Sequence, residues 1–380
     1  MVASPSMRSA RRDVLAKSSD ASRFEEPRKE AQVKAVQYRT FGGIPEVVEI
    51  DKPVPGPGQV LLKVTAAGLC HSDVFVMSIP EDQYFLGSLP LTLGHEGVGT
   101  VVELGAGVTN VTPGQNVAVY GPWGCGVCHE CAQGHENYCE RVTELKIFAP
   151  GLGAPGAMAE YMIVDNARHL VDIGDLDPAI AAPLTDAALT PYHAIKSSLP
   201  KLGAGTTAVV LGAGGLGHLG IQILRELSGS RIIALDVDES KLQLAKDVGA
   251  DVTMLSNDPN VVDAVREITH GRMAQGVFDF AGFQESLDVA RQLVGVGGDF
   301  KIVGLGMGGA TIPVGFFTTP YEAQIGTTYW GYRDELIEVI EMARAGRLRV
   351  HVERFSIDQA PEAYEKLHHG QLTGRGVIVF

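Results

Sequence analysis

The chain has 380 residues, 45% hydrophobic and 20% charged, which excludes a disordered or fibrous protein and suffices for two ordinary domains. A formal charge of −14 excludes a nucleic-acid backbone or an anionic membrane surface as the natural partner, because both call for compensating Lys and Arg. No apolar run reaches the roughly 18 residues of a spanning helix.

Residues 1–32 are rich in serine and in charges of both signs and poor in large apolar side chains, so they are expected to be a disordered N-terminal extension. They lack the apolar stretch of a secretory leader, and Asp13, Glu25 and Glu26 weigh against a transit peptide. Order is expected from Val33. KAVQY and PEVVEID read as strands around a TFGG turn, and VLLKVTAAGLC as an alternating strand ending at Cys70. EGVGTVVELGAG and QNVAVYG continue the β pattern, which suggests a small barrel-like or sandwich domain.

The next segment holds Cys125, Cys128, Cys131 and Cys139, spaced C-x2-C-x2-C-x7-C. Such spacing reads as metal ligands in a reducing compartment, so a cytoplasmic location is expected. Four thiolates close a tetrahedral zinc and leave no position for substrate, which makes the cluster a structural staple with His129 and His135 as loop residues. The fifth cysteine, Cys70, stands in GLCHSD, and His95 and Glu96 follow in GHEG. Thiolate and imidazole make only two ligands, and Asp186 in PLTDAALTPYH is a candidate third. Spacing alone leaves open a buried thiol and an ordinary core histidine.

After about residue 188 strands and helices alternate. TAVVLG, RIIALD, VFDFAG and DFKIVGLG read as strands between helical stretches, which implies a doubly wound parallel sheet. Between the first strand and helix lies G-x-G-x-x-G, as Gly212, Gly214 and Gly217, with Gly215 and Leu216 inside it. In that context the motif is a dinucleotide turn whose helix N-terminus faces a pyrophosphate. Asp236, nineteen residues beyond Gly217, is placed to bond ribose hydroxyls and, with Asp238, favours NAD over NADP; Lys241 could reach the same ribose. Beyond Tyr329, ELIEVIEMARAG, HVERFSI and GRGVIVF read as α+β.

GLCHSD, GHEGVGTVVELGAGV, the four-cysteine lobe, GAGGLG with its later Asp, and GRGVIVF, in this order, resemble the zinc-dependent medium-chain alcohol dehydrogenases over about residues 33–380. The Asp in PLTDA is similar to that of the bacterial NAD-dependent secondary alcohol dehydrogenases. The resemblance implies an α/β fold: a β-rich GroES-like catalytic domain over 33–187 with a structural-zinc lobe at 121–145, a doubly wound Rossmann domain over 188–328, and a return to the catalytic domain over 329–380. It implies Cys70, His95 and Asp186 as catalytic zinc ligands, Glu96 behind the metal, and Asp73 orienting His95. Ser72 would bond the substrate hydroxyl, Arg375 the coenzyme pyrophosphate, and Thr190 and Leu216 would pack on the nicotinamide. Phe75 stands where many relatives carry the histidine of a proton relay, so His71 becomes the candidate relay base, with a pyrophosphate contact as its competing role. Phe75, Tyr84, Leu152, Phe317 and Trp330 resemble cleft positions and imply an apolar pocket. The expected enzyme carries NAD and two zinc ions, interconverts alcohols, chiefly secondary and aryl-alkyl ones included, with ketones or aldehydes, and forms a homodimer or homotetramer. A dehydrogenase of primary alcohols or polyols, and an inactive dinucleotide-binding protein, are the alternatives.

Overall fold

The computed structural model describes residues 32–315 and 318–380. The expectations for the 1–31 tail and for Phe317 lie outside these residues.

The first half is built on two long strands, Val60–Gly68 and Glu96–Leu104, paired antiparallel from Val60 opposite Leu104 to Gly68 opposite Glu96. They centre a seven-stranded sheet that also holds the C-terminal strands Val352–Ser356 and Arg375–Val379. GRGVIVF runs antiparallel to Val60–Gly68, with Val377 opposite Gly68, which brings Arg375 beside Cys70 and Glu96. Leu62, Val64, Leu93, Val119 and Met158 fill the interior. The strand ends at Gly68, two residues before the Cys70 expected from the sequence, and the chain turns into a short helix, His71–Ser78.

The second half is a six-stranded parallel sheet in the order Val252–Leu255, Arg231–Asp236, Thr207–Leu211, Ala274–Asp279, Val294–Ile302, Gln324–Thr327. All five residues of Thr207–Leu211 are buried, because a central parallel strand is covered by helices on both faces. The chain reverses direction beside this strand, and ligands of such sheets bind in the crevice at the strands' C-terminal ends. One helix that lines the join, Leu189–Ser198, is not legible as such in the sequence. It contains Pro191 and is buried almost all round, so it shows no apolar stripe. Among the described residues no helix is long and apolar enough to cross a membrane.

Candidate metal centres and coenzyme cleft

Cys70 caps the helix His71–Ser78, and the first helical turn swings Asp73 back so that its Oδ2 accepts the Cys70 N–H at 3.2 Å. The other oxygen, Oδ1, lies 3.0 Å from His95 Nδ1. That contact places the Nδ1 proton toward Asp73 and leaves the Nε2 lone pair free to ligate. Nε2 is buried, has no hydrogen-bond partner among the described residues, and lies 3.5 Å from Asp186 Oδ2. Cys70 Sγ is also 3.5 Å from Asp186 Oδ2. Ligand atoms of Cys70, His95, Glu96 and Asp186 all fall within 4.8 Å of one another.

This donor set fits zinc. A cysteine sulfur, an imidazole with an orphaned nitrogen and a carboxylate converge in a buried pocket, with the Arg375 guanidinium 3.7 Å from Asp186 Oδ2. In the chain alone, burial works against a proton on His95, yet Asp73, Cys70 and Asp186 pull its pKa well above the ordinary value. The pocket therefore calls for positive charge at Nε2. Burial would push the Asp186 carboxyl up, but His95, Arg375 and the Thr190 hydroxyl hold it at about 2. Thr190 Oγ1 donates to Asp186 Oδ1 at 2.6 Å. Glu96 forms a buried ion pair with Arg375 and accepts the Ala187 N–H at 3.0 Å. Burial pushes Glu96 up to about 7, with the Arg375 guanidinium limiting the rise.

The four remaining cysteines also meet. Their sulfurs lie within 4.8 Å of one another, with Cys125–Cys131 at 3.9 Å and Cys128–Cys139 at 4.0 Å. Zn–S bonds of about 2.3 Å in a tetrahedron put sulfurs roughly 3.8 Å apart, so this lobe fits a closed zinc site. His129 opens a one-turn helix and His135 stacks on Tyr332, both away from the ligand set.

The glycine turn lies between Thr207–Leu211 and the helix Gly217–Leu227. Gly212 has φ of +84°, a left-handed conformation that favours glycine, and a Cβ at Gly217 would overlap the Gly212 carbonyl oxygen. A Cβ at Gly214 would meet no protein atom within 4 Å, so that face is open to a ligand. Asp236 ends the next strand, its Oδ2 accepting the Ala213 N–H at 2.7 Å and Oδ1 the Asp238 N–H at 3.1 Å. Its remaining lone pairs suit two ribose hydroxyls.

One cavity of about 1870 Å³ joins these parts, from Cys70, His95 and Asp186 to the glycine turn, Asp236 and Lys241. Ser72, Phe75, Tyr84, Leu152, Thr190, Leu216, Trp330 and Arg375 line it too. The Trp330 ring meets the His95 ring edge-on at 5.6 Å, and its Nε1 donates to the Thr185 carbonyl at 2.8 Å. His71 is open to the cleft yet hemmed in by protein. Burial first, then the charges of Arg375 and Lys241, lower its pKa to about 4.

Residues 56–175 match the alcohol dehydrogenase GroES-like domain and residues 215–345 the zinc-binding dehydrogenase domain. An NAD-dependent alcohol dehydrogenase of Sulfolobus acidocaldarius is 33% identical over 91% of this chain and 99% of its own length. The chain belongs to the zinc-binding alcohol dehydrogenase family. Among solved structures, an alcohol dehydrogenase of Aeropyrum pernix superposes with a TM-score of 0.83 at 30% identity, covering 91% of this chain and 100% of its own. An acetophenone reductase of Geotrichum candidum in complex with NAD gives 0.79 at 31%, covering 92% and 97%.

Sequence reasoning missed two supports of this dehydrogenase's metal cluster. Tyr364, from the helix Ala360–His368, donates its hydroxyl to Asp73 Oδ2 at 3.1 Å and is buried there. Thr190, expected against the nicotinamide, turns its hydroxyl to Asp186. A Thr one helical turn after a candidate ligand was the available signal for the second; nothing local marks Tyr364.

Proposed function

We propose that this dehydrogenase interconverts secondary alcohols, aryl-alkyl ones included, with their ketones, using NAD. The observation that carries the reading is the buried Cys70–His95–Asp186 cluster opening into the same cavity as the glycine turn. Zinc supplies, when bound, a Lewis-acid position that lowers an alcohol's pKa, and NAD supplies a hydride acceptor. Cys70, His95 and Asp186 would hold the catalytic zinc, and Cys125, Cys128, Cys131 and Cys139 the structural one. Asp73 fixes the ring of His95. Ser72, whose Oγ lies 3.6 Å from Cys70 Sγ, is within reach of a hydroxyl at the cluster and would take its proton outward. Arg375 spans from Glu96 to the Gly215 backbone, which suits a residue that meets both the metal cluster and a pyrophosphate. Of the two roles weighed for His71, convergence with Arg375 and Lys241 favours the coenzyme phosphate, leaving the proton path to ribose and water.

Phe75, Leu152 and Trp330 give the alcohol side an apolar lining that orients a substrate and excludes water. The likeness to an acetophenone reductase supports aryl-alkyl substrates. Asp236, with its charge at the ribose position, supports NAD over NADP. The domain limits that fit are 33–187 and 329–380 for catalysis and 188–328 for the coenzyme. Free thiols arranged as metal ligands suit a cytoplasmic enzyme. A homodimer joined along the edge strand Gln324–Thr327 is the assembly we infer, with a tetramer as its doubling. Leu305, Met307, Ile312 and Val314 expose apolar surface in the stretch leading to that strand.

The deciding experiment is steady-state turnover with NAD and NADP against matched primary and secondary alcohols, with both enantiomers of one aryl-alkyl alcohol. The reading requires the highest kcat/KM for a secondary alcohol with NAD. Preference for NADP removes the Asp236 argument, and preference for primary alcohols removes the substrate class.

A further inference from the structure

His218 follows Gly217, the last glycine of the turn, and is fully buried. Its ring touches two backbone groups. Nδ1 lies 2.9 Å from the Gly214 carbonyl oxygen, and Nε2 lies 3.2 Å from the backbone nitrogen of His351. A carbonyl only accepts and an N–H only donates, so the two contacts assign one neutral tautomer, with the proton on Nδ1 and the lone pair on Nε2. Burial lowers its pKa to about 4, which keeps the ring neutral.

His351 extends the connection. Its carbonyl accepts the Arg375 N–H at 2.8 Å, and the Arg375 side chain pairs with Glu96 in the metal cluster. One turn along the same helix, Gln222 grips Arg349, donating to its carbonyl and accepting its N–H, each at 2.9 Å. The helix that carries the coenzyme turn is thus stitched to the 349–351 segment, which in turn bonds the Arg375 backbone.

We propose that His218 is a positioning residue for the coenzyme, holding the Gly214 carbonyl so that the turn's N–H groups stay aimed into the cleft, and tying that turn through His351 to Arg375. A turn with four glycines between 212 and 217 has much backbone freedom to lose when a coenzyme settles on it. Fixing one carbonyl beforehand removes part of that cost. The inference rests on the reading of this turn as the NAD site.

The test is NADH binding to the zinc-loaded enzyme by fluorescence titration, beside steady-state kinetics, zinc content and melting temperature. The variants are His218→Leu, His218→Asn, His218→Gln and Gln222→Met. Loss of a buried hydrogen bond of this kind corresponds to roughly a ten-fold change. His218→Leu should raise the NADH Kd and the NAD KM by about that factor with kcat little changed and both zinc ions kept. His218→Asn, whose amide N–H restores the bond to Gly214, should recover most of the affinity. Gln222→Met should lower the melting temperature and leave the Kd alone. Wild-type affinity in His218→Leu overturns the proposal, as does a Kd in Gln222→Met raised as far as in His218→Leu. If His218→Leu does not fold, equal NADH affinity in the Asn and Gln variants overturns it, since Gln can restore only the bond to His351. Wild-type enzyme that binds no NADH overturns the NAD reading itself, and the proposal with it.

Discussion

Asp73 decides what His95 can do. Its carboxylate bonds the Cys70 backbone, the His95 ring and the Tyr364 hydroxyl at once, so one side chain sets the positions of two proposed ligands. Asp73→Asn should weaken zinc at this site by about 10–100-fold, the usual effect of losing an outer partner of a ligating histidine. Competition with a chelator, read as zinc per chain, checks it, because the four-cysteine site supplies an internal control that must stay loaded. Equal loss from both sites would mean that Asp73 supports the fold and not the ligand. His71→Gln belongs to the same scale. If His71 meets the coenzyme phosphate, its replacement raises the NAD KM and leaves the pH profile of kcat in place; a shifted low-pH limb would restore His71 as the relay base.

The cysteine lobe is the element whose place in the molecule the sequence least conveys. It is held by Glu136, which bonds the Gly124 N–H, Arg168 and His169, while Asp165 takes the other nitrogen of His169. It also reaches the cleft, where Asn137 donates to the Tyr329 carbonyl at 2.9 Å. Cys128→Ser, by opening the metal shell, should therefore lower the melting temperature and raise the KM for the alcohol while the NADH Kd holds. Burial would push Glu136 up, but His169 and Arg168 hold it at about 2. Burial opposes a proton on His169, yet Asp165 and Glu136 raise its pKa. The depressed carboxylate contributes stability above the ordinary Glu value near ~4.3, which is lost as pH falls through about 2. The raised histidine contributes fully below the ordinary His value near ~6.5, and that is lost as pH rises through its folded value. The melting-temperature gap between wild type and Glu136→Gln should be widest between pH ~4.5 and ~6.5 and shrink on the alkaline side. A gap that grows above that range contradicts the ion pair.

At the scale of the whole molecule, the parts legible in the sequence were those whose chemistry allows few residues. Gly212 shows because its left-handed backbone favours glycine, Gly217 because a Cβ would strike the Gly212 carbonyl, and the four cysteines because their short regular spacing is that of a metal site. Asp186 reads as one candidate carboxylate, and only the family resemblance singles it out, since a carboxylate in an apolar stretch carries no mark of its partners. Tyr364 and the Asn137–Tyr329 bond arise from contacts between distant segments, which local patterns do not encode. The short strands Val252–Leu255 and Gln324–Thr327 fall below the length at which alternation is readable. Both are edge strands of the parallel sheet, and the second of them makes the assembly testable. Met307 and Val314 are 78% and 98% exposed, so charges there face solvent in the single chain. If this face joins two copies, Met307→Lys with Val314→Lys places four like charges at the seam. Light scattering should then show a mass half that of the wild type, with the coenzyme Kd unchanged because the turn and Asp236 lie on other strands of the sheet. An unaltered mass would move the seam elsewhere, and a lowered melting temperature in a still-dimeric variant would place both side chains in packing within one chain.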